Sequence, residues 1–291
     1  MNCIANRSRL MYAEPNTQTI VSPTIDAQTT VVKFTASGSF VCPATVTSVT
    51  LLIVAGGGGG GTDTGGGGGA GGVVWNSAFP VTPGTAYAVV VGAGGGKGAT
   101  GNDNGINGGN SSFGTSTTLI AIGGGGGLTA RSTTNALTGG SGGGARAVFN
   151  TASTIGNAGG LGTVGQGFEG GSNNLVGNST DFGSGGGGAG GKGQSATNTK
   201  NAAGGPGIRF LNEHYAGGGG GGTWQSAFVG GAGGIGGGGT GHSQIFINQG
   251  GSPDAILNSG GGGGGGGNLG QPTPQLPGKG GSGIVIVVYR V

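Results

Sequence analysis

Glycine strings are the feature that most restricts what this chain can become. They run from Gly56 to Gly72, interrupted only by Thr62, Asp63, Thr64 and Ala70, and recur at 123–127, 185–191, 217–222, 236–239 and 260–267. Glycine loses more backbone freedom on folding than any other residue, and a glycine linker behaves as a flexible coil. The strings are therefore either disordered or the material of a lattice in which backbone packs directly on backbone. The chain holds 85 glycines and 10 prolines among 291 residues, a low-complexity signature. Two observations favour order. Charged residues make up only 7% of the chain, whereas disordered chains carry high charge and little hydrophobicity. The strings also alternate with apolar segments such as "SVTLLIVAG" and "GIVIVVYRV".

Those segments read as strands. "TTVVKFTASGSFVCP" alternates apolar and small residues about a turn at Ser37-Gly38, which predicts a hairpin. Further strands are expected over 46–54, 86–92, 118–122 and 283–290, most running straight into or out of a glycine string. No stretch has an apolar period of 3.6 free of glycine, so α-helix is essentially excluded. Within the strings the period is three: glycine stands at 92, 95, 98 and 101, and again at 159, 162 and 165. Three is the repeat of the polyproline II helix, which makes no internal hydrogen bonds and must find its partners in neighbours. The fold expected is an all-β base joined to a bundle of polyglycine II helices, over residues 30–291. A polar arm, 1–29, precedes it.

Other features narrow function by exclusion. Eleven basic and eight acidic residues give a net charge of +3 without clustering, which argues against nucleic acid as a partner. Cys3 and Cys42 form no CxxC pair and are expected to be free thiols. The first residues lack a signal peptide's apolar run, and no apolar run reaches membrane length, so membrane insertion is not expected. GxGxxG is inevitable at this glycine content, and "GGGAGGK" at 186–192 is followed by glycine with no helix behind it. His214 and His242 stand alone, and the aspartates sit in turns. No catalytic constellation, metal site or cofactor is expected, and the reading is of a protein that is not an enzyme.

"FTASGSFVCPATVTSVTLLIVAGGGGGG", "VTPGTAYAVVVGAGG", "GINGGNSSFG", "YAGGGGGG" and "GGSGIVIVVYR" together resemble the glycine-rich domains of bacteriophage tail-fibre and tip proteins. The strings are similar to those of the tip adhesins of T-even-type phages, which form a sandwich of polyglycine II helices. The resemblance implies a virion protein made in the host cytoplasm, a tail-fibre or tip adhesin that recognises a surface protein or glycan through loops between the strings. The resemblance covers residues 30–291 and does not extend to 1–29; that polar arm is expected, on its own composition, to attach the chain to other virion proteins, and a homo-oligomer such as a trimer is in view. A capsid fibre or decoration protein without a receptor role is the alternative.

If each string crosses the bundle once, the connections alternate between its ends. Counting from the strand at 46–54 collects the strands at one end. It sends 62–64, 102–107, 128–138, 172–182, 208–216, 242–249 and 268–279 to the other. The expected receptor-binding residues are then Arg131, Asn173, Asn174, Phe182, Arg209, Phe210, His214, Tyr215, Phe246 and Asn248, since aromatic residues beside amides and arginine equip binding surfaces. Trp75, Phe79, Trp224 and Phe228 fall at the strand end as packing or docking residues.

Overall fold

A computed structural model describes residues 20–99, 103–129, 132, 134–147, 157–173, 182–197, 202–224, 229–242, 252–267 and 276–291. The described chain is all-β and without helix. Its strands are β1 (Thr29–Phe34), β2 (Gly38–Val41), β3 (Ser48–Val54), β4 (Val73–Pro80), β5 (Ala86–Val90), β6 (Ser111–Gly114), β7 (Thr118–Ala121), β8 (Ile208–Phe210), β9 (Glu213–Tyr215) and β10 (Ile284–Arg290). Two four-stranded antiparallel sheets, ordered β1-β10-β3-β4 and β2-β5-β6-β7, face each other, and β8-β9 is a separate hairpin.

β-branched runs explain the first sheet. Side chains alternate across a strand, so Leu51, Ile53, Val285 and Val287 point at the second sheet. There they meet Phe40, Tyr87, Val89 and Phe113. Phe113 stacks on Tyr87 with ring centroids 5.4 Å apart and takes Phe79 edge-on at 5.6 Å, both favoured aromatic geometries. The intervening Leu52, Val54, Ile284, Ile286 and Val288 are buried on the opposite face, against Phe210 and Tyr215 of the hairpin. Burial on both faces is why "LLIV" and "IVIVV" read as unbroken apolar runs.

One sequence expectation is corrected here, and two features were not anticipated. The segment around Ser37 is not a hairpin: β1 pairs with β10 in one sheet and β2 with β5 in the other. The apolar β10 needs a partner on each edge and takes β1 and β3, so the chain changes sheet between Phe34 and Gly38. The strands divide between two sheets. Val73–Pro80 is a strand, although its polar centre, Asn76 and Ser77, hid the alternation.

Beyond the sheets lies the glycine lattice. String 65–72 sits inside it, and its hydrogen bonds show how. The N–H groups of Gly66, Gly69 and Gly72 donate to Leu128, Gly125 and Ile122. Those of Gly67 and Ala70 go to Ser184 and Gly187, and those of Gly68 and Gly71 to Gly263 and Gly260. Its carbonyls accept from three further strings, through Gly61 and Gly58, Gly144 and Ser141, and Gly222 and Gly219. One string thus has six neighbours, visited with a repeat of three residues. No donor from 66 to 72 is left over, which answers how a segment without side chains can be buried.

Candidate functional site

The lattice has two ends, and hydrogen-bond partners fix which connections lie at each. From β3 the chain runs out along 55–61, turns at 62–64 and returns along 65–72, pairing Ala55 with Gly72, Gly58 with Gly69 and Gly61 with Gly66. Residues 62–64 therefore lie far from the sheets. Asp63 and Thr64 turn the chain with φ of 51° and 55°. The same tracing puts Asp103, Thr129, Ala147, Asn157, Asn173, Phe182, Thr223, Trp224, His242, Ser252 and Leu276 at this far end. For example, Thr62 N–H donates to Asp103, Ala147 N–H to Thr64, Asn157 and Asn173 exchange bonds, and Phe182 bridges Thr223. The turns at 163–166, 189–191, 235–237 and 257–260 lie at the sheet end. There Gln166 C=O accepts from Val73, Ala189 N–H donates to Ala216, and Gly260 N–H donates to Ser282.

The loops that the count sent to the far end lie there up to Phe182, but it missed a reversal at 139–141, where Gly143 N–H donates to Leu137 C=O and 141–147 runs back out to a far-end connection at 148–156; beyond Phe182 the placement itself fails. Residues 208–216, expected at the far end, form the β8-β9 hairpin beneath the first sheet, and 223–224, expected at the sheet end, lie at the far end. The cause is a reversal at 189–191 inside a glycine string, after which 192–197 runs back along 183–188: Gly188 N–H donates to Gly191 and Gly185 N–H to Gln194. A further reversal at 235–237 restores the count. A turn made of glycine carries no compositional mark. Length was the missed signal, because one crossing takes about seven residues, and 230–241 must fold back to fit.

The expected binding residues divide accordingly. Asn173 and Phe182 are at the far end but buried, and Phe182 packs with Ala196 and Ala202. Arg209, Phe210, His214 and Tyr215 are at the sheet end. Phe210 and Tyr215 are buried in the apolar layer, while Arg209 and His214 are exposed on the hairpin's outer side. Arg131, Asn174, Phe246 and Asn248 fall outside the described residues, as does Phe228. Trp75 and Phe79 pack at the sheet end as expected. Trp224, counted among packing residues, is instead 43% exposed at the far end. It is the aromatic surface residue that the count assigned to the wrong end.

The sheet end is knitted shut by polar contacts. Glu213 accepts from Lys33 at 2.8 Å and from the Tyr215 hydroxyl. The Lys33 bond, then the Tyr215 bond, holds the Glu213 carboxyl below its usual range. Burial, then the same hydrogen bond, pushes the Tyr215 phenol up. Leu211 N–H donates to Ser22 Oγ at 3.0 Å and Ile20 packs on the same layer, so the described end of the N-terminal segment lies against the hairpin. Cys42 is a free buried thiol. Among the described residues no group of three or more His, Cys, Asp or Glu could hold a metal, and no helix is long and apolar enough to cross a membrane.

His242 makes the far end acid-sensitive. It is 1% exposed, and neither ring nitrogen has a hydrogen-bond partner. Burial pulls its pKa from 6.5 down to about 4. Between those values the unfolded chain binds the proton and the folded one does not. Stability is therefore complete above the unfolded value and falls as pH drops towards 4, by at most roughly 3 kcal/mol. Urea midpoints at about pH 7.5 and about pH 4.5 should separate by less in His242→Gln than in the parent. An identical acid loss in both proteins would assign it to other groups.

Packed strings without side chains, closed by a two-sheet sandwich, define a class of glycine-lattice β protein. Residues 34–290 match the glycine-rich domain family, and the chain belongs to it. No curated protein matches the chain.

Proposed function

We propose that this is a virion structural protein, a bacteriophage tail-fibre or tip adhesin that meets a host surface protein or glycan with the far end of its lattice. It carries out no catalysis and needs no cofactor in this reading. The observation that carries it is a division of labour between the two ends. At the sheet end the strings are joined by short turns and closed by packed strands. The residues flanking 148–156, 174–181, 243–251 and 268–275 all lie at the far end, so the long connections between strings begin and finish there. Recognition residues concentrate in such connections when a rigid scaffold holds them.

The N-terminal segment supports the same polarity. Ile20 and Ser22 lie on the hairpin at the sheet end, so an arm over 1–29 would join other virion proteins from the side opposite the receptor.

Adsorption of labelled protein to bacterial cells tests this. Trp224→Ala should weaken binding about tenfold or more, the effect of an aromatic anchor in an interface. The double substitution Arg209→Ala and His214→Ala, on the hairpin, should leave it unchanged. The reverse result would turn the molecule end for end. Assembly into particles without adsorption to any cell would support a decoration protein instead.

A further inference from the structure

Three strings bring polar side chains to one level at the far end. String 141–147 runs outward, since Ser141 bonds Ala70 and Ala147 bonds Thr64. String 157–162 runs back beside it, with Gly160 N–H on Gly143 C=O, so the three-residue repeat sets Asn157 opposite Arg146. The third string ends at Asn173, which exchanges both backbone hydrogen bonds with Asn157 and donates through Nδ2 to Arg146 C=O at 3.0 Å.

Two donors in this cluster have nothing to bond. Arg146 is half-buried; its Nη1 donates to Ala147 C=O at 2.9 Å, but its Nε is buried without a partner. Asn157 is 3% exposed, and its Nδ2 is likewise unpartnered. No described carboxylate forms an ion pair with Arg146. A guanidinium keeps its charge in proteins and presents a planar fork that fits two oxygens at once. Buried donors left unmade are costly. A group with at least two acceptor oxygens would serve both donors.

We propose that Arg146 and Asn157 form an oxyanion site at the far end, taking a carboxylate or phosphate group through Arg146 Nε–H and Asn157 Nδ2–H. Arg146 supplies charge and direction, and Asn157 supplies a second donor from the adjacent string. Asn173 is a positioning residue that holds the Arg146 main chain. The site rests on the orphaned donors alone and stands whether or not this end meets a cell.

The probes are glucuronate and inorganic phosphate, titrated into the full chain, with chloride at matched ionic strength as control. One or both should bind saturably, and Arg146→Gln should weaken the tighter of them at least tenfold. Arg146→Lys, which keeps the charge and loses the fork, should recover only part of that. Tighter glucuronate binding identifies a carboxylate site of acidic-sugar type, and tighter phosphate binding a phosphate site. If Arg146→Gln fails to fold, the Arg146 Nε–H resonance of the 15N-labelled parent gives the same answer, moving with the oxyanion and not with chloride. Absence of saturable binding at millimolar concentrations, equal affinity in Arg146→Gln, or a resonance that does not move overturns the proposal.

Discussion

Gly220→Val and Gly263→Val are each expected to give no soluble folded protein. A Cβ on Gly220 would fall on the carbonyl group of Gly231, and one on Gly263 on the carbonyl group of Gly278. Neither obstacle can rotate away, because each is backbone in a neighbouring string. Moving that string would break hydrogen bonds such as Gly231 N–H to Gly221 and Gly278 N–H to Gly264. The loss should exceed about 5 kcal/mol, which is comparable with the entire stability of many domains. Two controls separate this from a general dislike of side chains. Gly96 belongs to a string too, but its Cβ would meet only the Ile106 side chain at 3.3 Å, so Gly96→Ala should fold. Ala232 is exposed on the face of its string, and Ala232→Ser should shift stability by no more than about 0.5 kcal/mol. Soluble yield and urea midpoints decide the matter. Equal tolerance at Gly220, Gly263 and Gly96 would mean the strings are not packed as described.

What the sequence disclosed follows from where side chains exist to carry a signal. The strands β3 and β10 were legible because Leu51–Val54 and Ile284–Val288 are unbroken apolar runs. The period of three was read from glycine at 92, 95 and 98, where Ala93 and Lys97 break the string. The path of the chain through pure glycine was not, since Gly190 and Gly191 turn the chain and Gly186 and Gly187 extend it with the same residue type. The β8-β9 hairpin escaped notice for another reason. Its two-residue turn uses Leu211 and Asn212 at φ of 48° and 67°, a geometry that ordinarily selects Asn-Gly or similar pairs. Leu211 tolerates it while packing against the apolar layer, so tertiary contact overrides the local preference. Of the expected binding residues, Arg209, Phe210, His214 and Tyr215 lie at the sheet end, whereas Asn173 and Phe182 lie at the far end but buried. Phe210 and Tyr215 are apolar cement, and Arg146 and Asn157 passed unremarked because neither looks unusual until its partners are counted.

Phe210→Ala is expected to cost about 3–5 kcal/mol, the range for emptying a fully buried aromatic site. Phe210 is completely buried among Leu52, Ile286 and Val288 on the outer face of the first sheet. Collapse into the space is opposed from both sides. The sheet is held by its ladder, and the hairpin is tied by Lys33 to Glu213 and by Leu211 N–H to Ser22. The consequence should reach further than one hairpin. Strings 202–207 and 216–222 enter and leave it, with Gly207 N–H on Ile235 C=O and Ala216 N–H on Ser259 C=O at 2.7 Å each. Loosening the hairpin frees the sheet-end anchorage of both strings, and amide exchange at Gly207 and Ala216 should rise together with that of β8 and β9. Arg209→Ala and His214→Ala, on the exposed side of the same hairpin, should change the urea midpoint by no more than about 0.5 kcal/mol in equivalent stability. If Phe210→Ala were as mild as these two, the hairpin would be a surface appendage. If it is severe while adsorption of the surviving folded fraction is unchanged, the residue that resembled a receptor contact in sequence is the bolt joining lattice to sheet.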